Sequence, residues 1–223
     1  YKRQVVNDGR VDSAAYTVDI SVNTAPVANA GADQQVETGS VVNLDSSGST
    51  DAQGDPLTAV FTLVAQPAGS TASIAPGAAS FTADVSGLYT VSLIVNDGRL
   101  DSAPDTVDIS ANLSPIANAG SDQTVATNNL VTLDGSGSSD GDGDPIGFTW
   151  AVVSEPAGSA VVLAGSASPS PSFTPTVNGE YTLSLVVNDG TSSSVADTVT
   201  ITANGTPAAD AGPDQVVGPG ALV

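Results

Sequence analysis

The sequence contains no cysteine, no histidine and no methionine, and it has only four basic residues among 223. Without cysteine there is no disulfide framework, and without cysteine or histidine there is no Ser-His or Cys-His nucleophile pair. The only lysine is Lys2, and no glycine-rich loop ends in Lys-Ser or Lys-Thr, so a P-loop is missing too. These absences argue against an enzyme, and we predict a non-catalytic segment.

Positive charge is scarce. The chain has 24 acidic residues and a formal net charge of −20. Nucleic acids require lysine and arginine for their phosphates, and anionic membrane surfaces attract basic segments, so neither is an expected partner. No run of about 18 apolar residues occurs, and we predict no membrane insertion in this segment. Such a surface suits a soluble protein that meets salt and divalent cations.

Internal repetition determines the domain organisation. A nine-residue motif starting at Pro26 returns at Pro115 and Pro207, which gives repeat spacings of 89 and 92 residues. The tetrapeptide Val-Asn-Asp-Gly recurs at the same two spacings. We therefore predict whole domains at 23–112 and 113–203. Residues 1–22 would supply the last strands of a preceding repeat, and residues 204–223 the first strands of a following one.

Each repeat is predicted to consist of strands only. Apolar residues alternate with others from Tyr181 to Val187, the period expected of a strand with one buried face. About seven short strands in about 90 residues, punctuated by proline and glycine, are typical of a β-sandwich. Tyr89 and Tyr181 stand where sandwiches use a tyrosine corner, and Trp150 is placed as a large core residue. The fold class is therefore all-β, a tandem series of immunoglobulin-like sandwiches.

The strongest concentration of charge is a turn between two apolar strands. Asp134, Asp140, Asp142 and Asp144 lie within eleven residues there, and a related acidic turn occurs one repeat earlier. Crowded carboxylates repel one another unless a cation lies among them, so the pattern favours a calcium site. The spacing of the last three resembles an EF-hand, but that loop requires glycine and glutamate at positions that are otherwise occupied here. The alternative is a solvated acidic turn, since aspartate and glycine also favour turns.

These motifs together resemble the PKD domain of bacterial surface and secreted proteins. The resemblance rests on the strings Ala-Asn-Ala-Gly-x-Asp-Gln, Leu-Asp-x-Ser-Gly-Ser, Asp-x-x-Gly-Asp-Pro, Gly-x-Tyr and Val-Asn-Asp-Gly, and it covers essentially the whole chain. It implies an immunoglobulin-like sandwich that is extracellular or on the bacterial cell surface. PKD domains occur in tandem in surface proteins and as accessory modules of secreted hydrolases.

The resemblance also implies a Ca²⁺ site near the incoming linker of each domain. Its ligands would be an asparagine before the first strand, the next backbone carbonyl, two acids of the turn and the aspartate of Val-Asn-Asp-Gly. In the second repeat these residues are Asn112, Leu113, Asp140, Asp142 and Asp189. In the first repeat they are Asn23, Thr24, Asp51, Gln53 and Asp97. The glutamine replaces the second acid of that set, so the first site is expected to be weaker.

Two functions follow as expectations. The first is a structural one: a calcium-stiffened stalk, adhesin or filament, whose partners are neighbouring repeats of the same chain and, in a filament, other copies. The alternative is a carbohydrate- or protein-binding accessory segment of a secreted hydrolase, with surface glycans as partners. Exposed aromatic side chains on one sheet face would favour the alternative.

Overall fold

The computed structural model describes residues 2–205, 210 and 212 of the chain. The chain divides into two compact units, residues 1–113 and 114–223. Within the described residues there are strands and turns but no helix. The predicted strands of a following repeat, at 204–223, lie largely outside the described residues.

The first unit contains eight strands. Those of residues 1–22 form an antiparallel pair of their own. The strands are β1 (Lys2–Gln4), β2 (Tyr16–Val18), β3 (Gln34–Glu37), β4 (Val41–Asn43), β5 (Thr58–Ala65), β6 (Ser80–Thr82), β7 (Gly87–Asn96) and β8 (Asp105–Asn112).

The second unit repeats this pattern with six strands. They are β9 (Gln123–Ala126), β10 (Val131–Thr132), β11 (Gly147–Ser154), β12 (Ser172–Phe173), β13 (Gly179–Asn188) and β14 (Asp197–Asn204). A seventh strand is reduced to a single bridge in each unit, between Val27 and Thr50 and between Ile116 and Ser139. The proline that precedes each bridge has no N–H to donate to a ladder, which limits pairing there.

Both units have the same two-sheet topology. A four-stranded sheet in the order β3-β8-β7-β5 is accompanied by the pair β4-β6 in the first unit. The second unit has the order β11-β13-β14-β9 with the pair β10-β12. In each large sheet the strand that comes first in sequence pairs in parallel with the strand that comes last, β3 with β8 and β9 with β14. The other pairings are antiparallel. This arrangement confirms the predicted all-β, immunoglobulin-like class.

The alternating positions form the core of each unit. Leu93 and Leu185 are completely buried, as are the other inward residues of their strands, β7 and β13. Trp150 is 4% exposed on β11, in agreement with its predicted central place. Burial of one face of each strand leaves the threonine- and serine-rich opposite faces toward solvent.

The tyrosine corner is confirmed in both units. Tyr89 donates its hydroxyl proton to Val85 O at 2.7 Å and accepts the Val85 N–H at 2.9 Å. Tyr181 makes the same pair of bonds with Val177, at 2.7 and 3.1 Å. Each ring is fully buried, so these bonds satisfy a hydroxyl that would otherwise be costly to enclose.

Among the residues that the structure describes, no helix has the length and apolar character needed to cross a bilayer.

Candidate metal centre

The acidic turn of the second unit joins β10 to β11. Carboxylate oxygens of Asp140, Asp142 and Asp144 lie within 4.8 Å of one another. Asp134, the fourth acid of the sequence cluster, is not in this group. It accepts the Ser136 N–H at 3.0 Å and closes the preceding turn. The structure thus divides the four acids into a cluster of three and one turn-closing residue.

Asp140 organises this turn. Its Oδ1 accepts the backbone N–H groups of Asp142 and Asp144, at 2.9 and 3.1 Å, so the loop wraps around one carboxylate oxygen. Its other oxygen, Oδ2, is enclosed and has no hydrogen-bond donor. A buried carboxylate oxygen without a donor costs free energy. A hard cation at this point would remove that cost, so the donor set fits Ca²⁺.

The first unit repeats the same turn geometry. Asp51 Oδ1 accepts the N–H groups of Gln53 and Asp55 at 2.8 and 3.0 Å. Asp51 Oδ2 is again enclosed without a donor. Two turns of different sequence therefore leave the same atom unsatisfied, which makes the feature a property of the repeat.

The aspartate of Val-Asn-Asp-Gly is positioned by its own turn. Asp97 Oδ1 accepts the N–H groups of Arg99 and Leu100, both at 2.7 Å. Asp189 Oδ1 accepts those of Thr191 and Ser192, at 2.7 and 2.6 Å. One carboxylate oxygen thus fixes each tight turn, and the second oxygen has a partner of its own: in Asp189 it accepts the Ser192 hydroxyl at 3.3 Å.

In the first unit the partner of the second oxygen, Asp97 Oδ2, is the predicted asparagine ligand. Asn23 Nδ2 donates to Asp97 Oδ2 at 2.7 Å, although the two residues are 74 positions apart in sequence. This bond, followed by those from the turn's own backbone, holds the pKa of Asp97 below its usual range. Thr24 Oγ1 donates to Gln53 Oε1 at 2.9 Å. Four of the five predicted residues of this site therefore form two bonded pairs, and the fifth, Asp51, accepts the Gln53 N–H.

Arg99 is a residue of this cluster that the sequence reasoning missed. Its Nη1 lies 3.4 Å from Asn23 Oδ1 and 3.8 Å from Asp55 Oδ2. A protein cation thus stands beside the first acidic turn. The equivalent residue in the second unit is Thr191, and no lysine or arginine follows Arg99 anywhere in the chain. Arg10 follows the earlier Val-Asn-Asp-Gly at the same position, so the sequence showed that this arginine recurs but not which groups it would contact.

The predicted site of the second repeat comprises Asn112, Leu113, Asp140, Asp142 and Asp189. Asn112 is 9% exposed, and its Nδ2 donates to Leu113 O at 3.1 Å. The five-residue ligand set stays a prediction.

Two other turn acids make long-range bonds. Asp33, Asp122 and Asp214 lie in the repeated Ala-Gly-x-Asp-Gln turns, where aspartate is predicted to close its own turn by a local Asx-type bond. Asp33 instead accepts the distant Asp108 N–H at 3.0 Å, and Asp122 accepts the Thr200 N–H at 2.8 Å. The expected local bond was therefore wrong for these two, which join the first turn to the last strand, and Asp214 lies outside the described residues.

Family comparisons cover both units. Residues 23–110 match the family described as "PKD domain", and residues 119–203 match the one described as "K319L-like, PKD domain". The chain belongs to the PKD family. It carries two PKD domains in tandem, and both matches are to PKD families rather than to an enzyme family.

Individual relatives of these PKD domains include a mouse protein. The "Dyslexia-associated protein KIAA0319-like protein" of Mus musculus is 34% identical over 140 residues, which cover 59% of this chain and 13% of that protein. The solution structure of the PKD domain from KIAA 1837 protein is 27% identical and covers 48% of this chain and 99% of that one, with a TM-score of 0.36. The immunoglobulin domains 1–5 of Sidekick-1 are 10% identical and cover 82% and 40%, with a TM-score of 0.47.

Proposed function

We propose that this chain is part of an extracellular array of PKD domains stiffened by calcium, forming a stalk, adhesin or filament on a bacterial surface. Its work is mechanical and adhesive rather than catalytic. In such an array each repeat contacts mainly its neighbours along the chain. A ligand contributed by the residue that enters each domain would couple calcium binding to the joint between repeats.

A single observation carries this proposal. Asp51 Oδ2 and Asp140 Oδ2 are enclosed without a hydrogen-bond donor in two turns of otherwise different sequence. A solvated acidic turn would leave both oxygens of its carboxylate open to water, which would satisfy them. Enclosure of the same atom in both domains therefore favours a cation over the solvated alternative.

Charge distribution favours the second domain as the stronger site. Asp140, Asp142 and Asp144 all carry charge there, and that domain contains no lysine or arginine. In the first domain Gln53 replaces one acid, and Arg99 already offsets Asp55. When bound, Ca²⁺ would be held by carboxylate and carbonyl oxygens, with an affinity of about 10⁻⁴–10⁻³ M as in other extracellular modules.

The accessory binding function has less support. Of the aromatic residues among the described positions, Phe61, Phe81, Tyr89, Trp150, Phe173 and Tyr181 are buried in the two cores. Tyr16, 74% exposed, stands alone on the hairpin of residues 1–22. Sugar recognition by stacking needs an exposed aromatic face, and the large sheets offer none within the described residues.

The test is calorimetric titration of calcium into the chelator-treated chain, with magnesium as the competing ion. We expect binding in the millimolar range or tighter and a rise in melting temperature. Asp140→Asn should abolish the stronger site, because it removes charge from the enclosed oxygen. Glu180→Gln, on a strand outside the turn, is the matched loss of one acid and should leave binding unchanged.

The proposal fails if the melting temperature is the same in chelator and in millimolar calcium. It also fails if Glu180→Gln weakens binding as much as Asp140→Asn does, since that would indicate diffuse attraction to an acidic surface. Small-angle scattering with and without calcium then measures whether the ion straightens the array.

A further inference from the structure

The edge of the large sheet in the first PKD domain is open. β5 is the last strand in the order β3-β8-β7-β5, so one of its sides has no neighbouring strand. A groove of about 690 Å³ runs along it, between the strand and the segment Ala72–Gly77 of the following loop. Val60 and Val64 on its outer face are 61% and 57% exposed. An exposed, apolar edge strand is a template for pairing with another chain.

The second PKD domain shows what covers this position. The N–H of Trp150 on β11 donates to Ser166 O at 2.9 Å, so backbone from the following loop caps that edge. The loop from Ala164 to Ser172 contains the three extra residues that lengthen this repeat. An extended backbone segment is therefore the kind of group that this edge accepts.

The first domain lacks that cover. Phe61 lies opposite Leu93 just as Trp150 lies opposite Leu185, so its N–H faces the open side of β5. Among the described residues no backbone or side-chain group outside the sheet accepts this N–H. The shorter loop leaves the hydrogen-bonding edge unused.

Charge indicates which partner fits. Residues 56–83 are 28 consecutive positions without a charged side chain, in a chain of net charge −20. They include all of β5 and the loop that bounds the groove. Copies of an acidic protein repel one another at most points of contact, but two such edges can meet without opposing carboxylates. In the second domain Glu155 interrupts the equivalent stretch.

We propose that the open edge of β5 is a dimerisation surface, on which β5 of a second copy of this chain adds as an antiparallel strand. Outward N–H and C=O groups of the two strands would pair across a two-fold axis, and Val60 and Val64 of each copy would lie on one face. A single strand pair buries little surface, so the dimer is expected to be weak and reversible. It is independent of calcium.

The experiment is sedimentation equilibrium of the whole chain over a wide concentration range in the presence of chelator. The double variant V60E/V64E places like charges on the proposed shared face, and we expect its dissociation constant to rise about tenfold or more. The matched control is T149E/V153E, the equivalent positions of the capped strand β11, which should leave the dimer unchanged. Both pairs have exposed side chains, so folding is preserved.

A second variant tests the edge without adding charge. Replacing residues 75–80 with 164–172 gives the first domain the longer loop, which should cap β5 and weaken dimerisation like V60E/V64E. A wild-type chain that stays monomeric at millimolar concentration overturns the proposal. So does a dimer that persists equally in the glutamate variant and in the loop variant.

Discussion

Asp51 and Asp140 each use one carboxylate oxygen to fold a turn and leave the other enclosed. An acid in such a turn is therefore not interchangeable with an exposed acid of the same charge. The residues around it decide what neutralises the second oxygen. In the first domain the guanidinium of Arg99 lies 3.8 Å from Asp55, the next acid of the same turn, whereas the second domain has Thr191 at that position.

Exchanging Arg99 and Thr191 between the domains should reverse which domain responds more strongly to calcium. Arg99→Thr removes the protein cation beside Asp55, so we expect stronger calcium binding by the first domain. At tenfold excess over the dissociation constant, one occupied site adds about 1.4 kcal/mol, or roughly 5–10 °C in melting temperature. Differential scanning calorimetry with calcium and with chelator measures this.

The reciprocal variant, Thr191→Arg, is the matched control and should weaken the calcium response of the second domain. If Arg99→Thr lowers stability equally with and without calcium, Arg99 acts only through its surface ion pair, and the exchange has no bearing on the site.

At the scale of elements, Asp84 joins two segments that the sequence did not connect. It accepts the Ser70 hydroxyl at 2.5 Å and the Thr71 N–H at 2.8 Å, and its Oδ1 lies 3.1 Å from the Tyr89 hydroxyl oxygen, whose proton it shares with Val85 O. The loop after β5 is thereby fixed to the tyrosine corner. These bonds, the one from Ser70 first, hold the pKa of Asp84 well below its usual range. The second domain has Thr176 at the equivalent position.

This difference predicts unequal acid sensitivity of the two domains. Because the folded-state pKa of Asp84 is lowered, its stabilisation is present above the unfolded value near 3.8 and is lost as pH falls through the folded pKa. Asp84→Asn should therefore destabilise the first domain near neutral pH, with an effect that shrinks progressively as the pH falls below 3.8 toward the folded pKa. Urea unfolding at a series of pH values measures this.

Thr176→Ala is the control, since a hydroxyl carries no charge and should give a pH-independent effect. An equal loss of stability from Asp84→Asn at all pH values would contradict the role of its charge.

The strands themselves were predictable, because alternation of apolar residues sets which face is buried. The segment from Tyr181 to Val187 forms β13 as expected, and the repeat register assigned its counterpart in the first domain. Contacts between distant segments were not predictable in the same way. The bond from Asp108 N–H to Asp33 and the position of Arg99 depend on how loops meet after the sheets form. No period or spacing in a single sequence predicts which loops will contact each other.

At the scale of the whole molecule, each domain has its own core, its own tyrosine corner and its own acidic turn. The cores centre on Leu93 in the first domain and Leu185 in the second, both fully buried. Separate cores favour separate unfolding transitions when nothing couples them. The calcium proposal adds that the ion should couple the two.

We therefore expect two calorimetric transitions in chelator that move closer together in calcium. Leu93→Ala and Leu185→Ala should each lower the free energy of unfolding of one domain by about 2–5 kcal/mol. The transition that shifts is thereby assigned to that domain. A single transition in chelator that both variants shift equally would show that the domains unfold together without the ion.

The parallel pairing of first and last strands has a consequence for a protein under tension. β3 and β8 pair over four positions, from Gln34 with Ile109 to Glu37 with Asn112, and β9 and β14 do the same. A force that pulls on the two ends of a domain slides these strands past each other along their length. The hydrogen bonds along these four paired positions then bear the force together rather than breaking one after another. Each PKD domain is accordingly built to resist shear, whichever ion or neighbour it meets.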